Sequence, residues 1–272
     1  GRPGSYLFGL CGQGSLLLAG LVDTLCAQQK LRGAGFVVAV PTSPEQSTLL
    51  QDKGFQKAFA LRCLPKETCS QHILQLAYTI SPHAAVSTGS DAFGNIICSG
   101  FLEQPHDHFS FTVDGVALTN SENIDSGSLQ HLFCYPTAQT TLTQGAAPYL
   151  ALAQEMHDPL QKALAMSSKL YRSFTYKPNT TTTQTTAQQA LDQGTGVCQD
   201  YTHIMLALCR LCHIPARYVA GFMTGEGATH AWLEIFAGGQ WLGIDPTNNR
   251  IVDDQYIKLS EGRDAADCII DK

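Results

Sequence analysis

The chain has 272 residues, a formal net charge of −6 and 44% hydrophobic residues, which is typical of one large or two small globular domains. The slight acidic excess, with no run of lysine or arginine, argues against a nucleic-acid partner. No apolar run reaches the roughly 18 residues that span a bilayer, so no membrane association is expected. The ten cysteines are scattered, mostly in apolar patterns, which favours a cytoplasmic location.

Residues 1–65 alternate between patterns that predict strands and helices. An α/β segment is therefore expected here. In chain order its predicted strands and helices are "SYLFGL", "LLLAGLVDTLCAQQKLRG", "GFVVAV", "PTSPEQSTLLQDKGF" and "QKAFALRCL", with the glycine-rich "CGQGS" after the first strand.

Residues 66–135 alternate between apolar and polar positions, as half-buried strands do. A Gly-Asn pair also marks a turn within this region. The sequence predicts a β-rich domain whose strands lie in "HILQLAYTI", "DAFGNIICSGF", "HFSFTVDGVAL" and "LQHLFCYP".

Residues 136–272 mix helical and strand patterns. Helices are predicted in "APYLALAQEM", "PLQKALAMSSKLYRSF" and "AQQALDQG", with "KPNTTTTQTT" as a solvated loop before the last of these. After the turn at Gly194 and Gly196, apolar residues recur at helical spacing until Pro215. Cys198 is thereby placed at the N-terminal end of a helix.

Cys198 is the first candidate for chemistry. Unpaired amide groups and the positive end of the helix dipole favour an anion at a helix N-terminus. A thiol there ionises more readily, and the same amides can bind an oxyanion. A small cysteine that only fills space is the alternative interpretation of this feature.

A hairpin downstream supplies two further candidates. Alternating residues flank Gly238-Gly239, and a tight turn at these glycines would pair Trp232 with Asp245. His230 then lies diagonally from Asp245 on the same face, at roughly 7–8 Å between backbones. In that register the residues fit an activated thiol nucleophile, in which His230 takes the proton of Cys198 and Asp245 orients the imidazole.

These stretches resemble the transglutaminase-like superfamily in order and spacing. The resemblance rests on "GTGVCQDYTHIMLALCRLCHIPARYVAGF", "HAWLEIF" and "WLGIDPTNN". It implies an α+β fold in which residues 136–272 form a papain-like catalytic domain, with the Cys198 helix packed on an antiparallel sheet that carries His230 and Asp245. Residues 66–135 are similar to the β-rich N-terminal region of bacterial transglutaminase-like proteins.

Residues 1–65 resemble the C-terminal half of a GNAT-type acetyltransferase. The resemblance rests on Gly9, Gly12 and Gly14 after a strand and on the later Gly54-Phe55. Gly9 replaces the Gln or Arg that is usual in that family, and the strands and helices that precede this half are missing. A generic α/β segment with a glycine turn is the alternative.

The superfamily resemblance implies attack of a thiol on a peptide or protein amide, with a thioester intermediate. Three functions stay open: a cysteine protease or amidase, an amine-dependent cross-linking transglutaminase, and a binding or scaffold module with an idle triad. Trp232 and Trp241 are expected to line the substrate cleft. Thiol acyl transfer needs no cofactor, and His106 with His108 is weak evidence for a metal because no third ligand is nearby.

Overall fold

A computed structural model of the chain describes residues 6–7, 32–41, 57–102, 109–122, 125–127, 129–224 and 229–270, with the backbone alone for 6–7, 32–41 and 57. The chain divides into two compact units. The first consists of Gly1–Asn120, Thr224–Gly227 and Ile269–Lys272, and the second of Ser121–Met223 and Ala228–Cys268.

The first unit is β-rich in its described part, as predicted for its residues from 66 onward. Its strands are Tyr6–Leu7 (β1), Arg32–Pro41 (β2), Lys57–Leu61 (β3), Gln71–Ser81 (β4), Val86–Ser90 (β5), Ile96–Leu102 (β6) and Ser110–Thr119 (β7). One sheet has the order β1-β2-β7-β4 and a second has the order β3-β6-β5. The turn before β6 contains Gly94 at a φ of 75°, a conformation that glycine adopts without steric cost.

The predicted α/β segment at 1–65 is described only in part. Its first two strands are β1 and β2, which pair in parallel, while β2 also pairs antiparallel with β7. The third, β3, pairs with β6 of the other sheet. The two predicted helices and Gly9, Gly12 and Gly14 lie outside the described residues, as do His106 and His108.

The second unit contains four α-helices within its described residues. They are Ala147–Gln154 (α1), Pro159–Ser173 (α2), Ala187–Gln193 (α3) and Cys198–Leu211 (α4). Its strands are Thr175–Tyr176 (β8), Thr195–Gly196 (β9), Ala216–Met223 (β10), His230–Ala237 (β11), Gln240–Asp245 (β12), Arg250–Ile251 (β13) and Tyr256–Gly262 (β14). The main sheet is antiparallel in the order β13-β12-β11-β10-β14, and β8 pairs in parallel with β9.

The helix α4 packs on one face of the main sheet, which confirms the predicted α+β arrangement. Ile204 and Leu208 of α4 share a buried core with Leu233 and Ile235 of β11. Alternate residues of β11 enter this core, so the residues between them point to the opposite face. The shared core therefore holds α4 against β11.

The strand predicted in "LQHLFCYP" is wrong. Residues His131–Cys134 form a single 3-10 turn instead, of which only Phe133 is buried. The apolar residues Leu129, Leu132 and Phe133 have the i, i+3, i+4 spacing of a helical turn rather than the alternation of a strand. None of the described helices is long and apolar enough to cross a membrane.

Candidate active site

Cys198 is the first residue of α4, and the chain reaches it through a tight turn. The helix α3 ends at Gly194 in the left-handed conformation, and β9 follows at once. Cys198 is partly exposed. Its amide is one of the first four of the helix, which have no acceptor inside the helix. The nucleophile predicted from sequence is thus at a helix N-terminus, as expected.

Asp200 fixes this turn from inside the first turn of α4. Its buried carboxylate accepts a hydrogen bond from the Val197 amide at 2.7 Å and from the Thr181 hydroxyl at 2.6 Å. Burial raises the pKa of Asp200, although these two hydrogen bonds oppose the shift. A Cβ atom at Gly196 would lie 2.7 Å from the Cβ of Asp200, so only glycine fits there. Cys198 is therefore held by a closely packed turn.

The hairpin of β11 and β12 has the register predicted from its turn. Ala237 pairs with Gln240, and Leu233 pairs with Ile244. Gly238 and Gly239 have φ angles of 61° and 82°, as a two-residue type I′ turn requires. This register brings His230 and Asp245 to the same face, because a slip by one residue would put them on opposite faces.

His230 and Asp245 are joined by a direct hydrogen bond. The Nε2 atom of His230 lies 2.8 Å from Oδ2 of Asp245, and both side chains are buried. Burial lowers the pKa of His230, but hydrogen bonds with Asp245 and with Cys198 outweigh it and raise that pKa to about 10. Because Nε2 is bonded to Asp245, Nδ1 is the ring nitrogen left to face the thiol. The structure thus brings all three predicted residues together.

Asp245 is held by five donors. Its Oδ2 atom accepts from His230, from the Tyr256 hydroxyl at 2.8 Å and from the Asn248 side-chain amide at 2.8 Å. Its Oδ1 atom accepts from the amides of Thr247 and Asn248 at 2.9 and 3.2 Å. Burial tends to raise the pKa of Asp245, yet the bonds from His230, Asn248 and Tyr256 hold it below its ordinary value. The carboxylate is therefore ionised and firmly oriented.

Sequence reasoning missed Tyr256 and Asn248 as partners of Asp245. Asn248 lies within "DPTNN", and an Asp followed by Pro, Thr and Asn is a turn signal that could have indicated it. Tyr256 is on β14, which lies at the far edge of the sheet from β12 in strand order. No local pattern predicts so distant a contact.

The two tryptophans predicted to line the cleft lie at opposite ends of the hairpin. Trp232 is 1% exposed, and its ring centroid lies 6.3 Å from that of His230. Trp241 is 4% exposed and packs against Phe133, with the Arg217 guanidinium 4.2 Å from its ring centroid. Trp241 therefore has a packing role at its end of the hairpin. A role of either residue in substrate binding stays a prediction.

A buried network of charges surrounds Arg217, on the sheet face that carries His230. The guanidinium bonds Glu234 at 2.7 Å, Glu261 at 2.9 Å and Asp125 at 2.8 Å. Lys258 bonds the same two glutamates. Burial would raise the pKa of Glu234, but Arg217 and Lys258 lower it to about 2. Sequence analysis did not indicate this network, which holds β10, β11 and β14 together.

Two family models match the chain. The model of the transglutaminase-like superfamily matches residues 150–246, which include Cys198, His230 and Asp245. The model of the bacterial transglutaminase-like N-terminal region matches residues 53–117. The chain belongs to the transglutaminase-like superfamily. Both resemblances inferred from the sequence for residues beyond 65 are confirmed.

Relatives of this transglutaminase-like chain occur in mycobacteria. An uncharacterized protein of Mycobacterium tuberculosis is 30% identical over 240 residues, which cover 75% of this chain and 76% of the relative. An uncharacterized protein of Mycobacterium leprae is 30% identical over 230 residues, which cover 76% of this chain and 82% of the relative. A protein-glutamine gamma-glutamyltransferase of Pseudomonas aeruginosa is 31% identical over 117 residues, 36% of this chain and 18% of that protein.

A solved structure shares the transglutaminase-like fold of this chain. A protein from Cytophaga hutchinsonii, described as a "Putative Cysteine Protease", superposes with a TM-score of 0.66 and 25% identity. The match covers 80% of each chain. The fold is therefore shared over most of both chains.

Proposed function

We propose that the protein is a thiol-dependent hydrolase of peptide or protein amide bonds, with Cys198 as nucleophile, His230 as general base and acid, and Asp245 as the group that orients His230. The observation that carries this proposal is the hydrogen-bonded chain from Cys198 through His230 to Asp245 at a helix N-terminus. The same arrangement in unrelated thiol and serine enzymes transfers acyl groups.

The reaction would proceed in two halves. His230 accepts the thiol proton at Nδ1, and the Cys198 sulfur attacks the carbonyl carbon of the amide. The negative charge on the carbonyl oxygen faces the Cys198 amide at the start of α4. His230 then gives its proton to the leaving amine, which leaves a thioester. In the second half His230 takes a proton from water as the water oxygen attacks the thioester carbonyl. The C–S bond then breaks, the acid leaves, and His230 returns its proton to the Cys198 sulfur.

Throughout both halves Asp245 stays ionised and stabilises the imidazolium of His230. Its pKa is lowered by bonds from His230, Asn248 and Tyr256 against the effect of burial, so protonation of the carboxylate does not compete with that of His230. No cofactor takes part in these steps.

A second candidate is transfer of the acyl group to an amine instead of water. The similarity of 117 residues to a protein-glutamine gamma-glutamyltransferase favours it. The nucleophile and base would be the same, and only the acceptor of the thioester would differ. A binding module with an idle triad is disfavoured because the buried His230–Asp245 pair is kept at a desolvation cost that packing alone does not require.

The test is alkylation by iodoacetamide at about pH 6, where an ordinary thiol is mostly protonated and reacts slowly. Each cysteine is followed by peptide mass spectrometry. We expect Cys198 to react far ahead of the exposed Cys69, and to lose that lead in His230→Ala. His131→Ala, which removes an exposed histidine from the same unit, is the matched control and should leave the lead unchanged.

Equal rates at Cys198 and Cys69 in the wild type would refute the proposal. If Cys198 is activated, a peptide library incubated with and without a primary amine separates the two candidates. Free acid as the only product supports hydrolysis, and an amine adduct supports transfer. We also propose that the substrate is a protein or peptide and that the location is cytoplasmic, as the sequence analysis predicts.

A further inference from the structure

Tyr256 is the one tyrosine on β14, and its hydroxyl points at the Asp245 carboxylate. The donor distance to Oδ2 is 2.8 Å, on the same oxygen that receives His230. The ring is 5% exposed and lies edge-on to Trp232, with 5.2 Å between centroids. The ring is thus fixed by packing, and the hydroxyl by the carboxylate.

We infer that Tyr256 is a positioning residue, whose hydroxyl keeps Asp245 ionised and aimed at His230 as the medium becomes acidic. This inference rests on the proposed function, because it assigns Tyr256 a part in activating Cys198. It adds a third strand, β14, to the two that carry His230 and Asp245. The hydroxyl acts through Asp245 and touches neither the thiol nor the substrate.

The charged and titratable groups around this carboxylate are few in the described part of the site. His230 faces it from β11, and Tyr256 from β14. Arg250 of β13 pairs with Asp245 in the ladder and lies 5.7 Å from the Tyr256 ring centroid, but its guanidinium is bonded to Asp253. The remaining donors are neutral amides. The Tyr256 hydroxyl and His230 are therefore the titratable groups in direct contact with the Asp245 carboxylate.

Removal of the Tyr256 hydroxyl should raise the pKa of Asp245. A carboxylate that accepts fewer hydrogen bonds is a stronger base, so Asp245 would take up a proton at higher pH. Once it is protonated, the imidazolium of His230 loses its counter-ion, and the proton returns from His230 to the thiol. At pH 8 Asp245 stays ionised with or without the hydroxyl. The defect should therefore appear at acidic pH and fade at alkaline pH.

The experiment measures iodoacetamide labelling of Cys198 at pH 5 and pH 8 in the full chain, for wild type and Tyr256→Phe. We expect the ratio of wild-type to variant rates to be larger at pH 5 than at pH 8, with about tenfold, the value for a shift of one pKa unit, as its upper limit. Tyr149→Phe is the matched control. Tyr149 is similarly buried, at 6% exposed, but its hydroxyl bonds Ser173 at 3.0 Å.

Asn248→Ala supplies a second variant. It removes the side-chain amide donor to the same Oδ2 atom from an exposed residue, so the fold is not at risk. It should change the ratio in the same direction. Thermal unfolding of all variants reports any general loss of stability.

The outcomes separate the inference from the proposed function. A ratio that is equal at the two pH values, with Cys198 activated in the wild type, overturns the role of Tyr256 and leaves the proposed function intact. The same result follows if Tyr149→Phe shows an equal pH-dependent change. If Cys198 is no more reactive than Cys69 in the wild type, both fail.

Discussion

Replacement of Arg217 by methionine tests the buried charge network. Methionine keeps much of the apolar volume but removes the cation from Glu234, Glu261 and Asp125. Among the described ion pairs, those of Lys258 with the two glutamates would remain. Breaking a buried ion pair by removal of one partner costs roughly 3–5 kcal/mol in free energy of unfolding. We expect a loss of this size at pH 7.

The pH dependence of this loss follows from Glu234. Burial opposes its ionisation, but Arg217 and Lys258 lower its pKa from 4.5 to about 2 in the folded protein. Such a shift is worth about 3 kcal/mol, part of which belongs to Lys258. Because the folded pKa is the lower one, this stability is fully present above about pH 4.5 and is lost as the pH falls through about 2. The difference between wild type and Arg217→Met should therefore narrow on acidification.

Urea unfolding at pH 7 and pH 3.5 measures both quantities. Arg263→Met is the control, because Arg263 pairs with Asp267 but has a side chain that is 48% exposed. That variant should change the free energy of unfolding by less than about 1 kcal/mol. A loss below about 1 kcal/mol in Arg217→Met, or one that does not change with pH, would refute the network as a source of stability.

Two further predictions concern the site itself. Asp245→Asn should lower the free energy of unfolding most at pH 6.5 and below, and progressively less as the pH rises toward 10. Burial lowers the pKa of His230 in the folded protein, but Asp245 is the main group that raises it from 6.5 to about 10. Urea unfolding at pH 6, 8 and 9.5 measures the difference from wild type, and a difference that is constant with pH would contradict the prediction. Gly196→Ala should slow Cys198 alkylation and lower the melting temperature, because the new Cβ would meet Asp200. Gly89→Ala is the control and should change neither quantity, because a Cβ there meets nothing within 4 Å. Equal effects of the two substitutions would contradict the packing argument.

Local patterns predicted the elements that carry the site. The helix at Cys198 followed from apolar spacing, and the placement of His230 and Asp245 on one face followed from the two glycines of the turn. Both depend on residues close in sequence, where propensity and alternation are informative. The fold around them was expected from the resemblance to a family rather than from the residues alone.

Contacts between distant segments could not be predicted in the same way. The bond from Tyr256 to Asp245 depends on where β14 lies in the sheet, and the network of Arg217 joins residues as far apart as Asp125 and Glu261. The 3-10 turn at His131–Cys134 was predicted as a strand although its apolar residues have helical spacing, because a stretch this short fits either period. Tertiary packing decides such cases.

The two glycines between β11 and β12 have a consequence for evolution and for engineering. The geometry of His230 and Asp245 depends on the number of residues between the strands as much as on the two side chains. An insertion of one residue at Gly238-Gly239 that shifted the register of the ladder would put His230 and Asp245 on opposite faces. Their hydrogen bond would be lost although both residues are still present in the sequence. Among relatives, the length of this turn is therefore a better marker of a working site than the presence of the histidine and the aspartate alone.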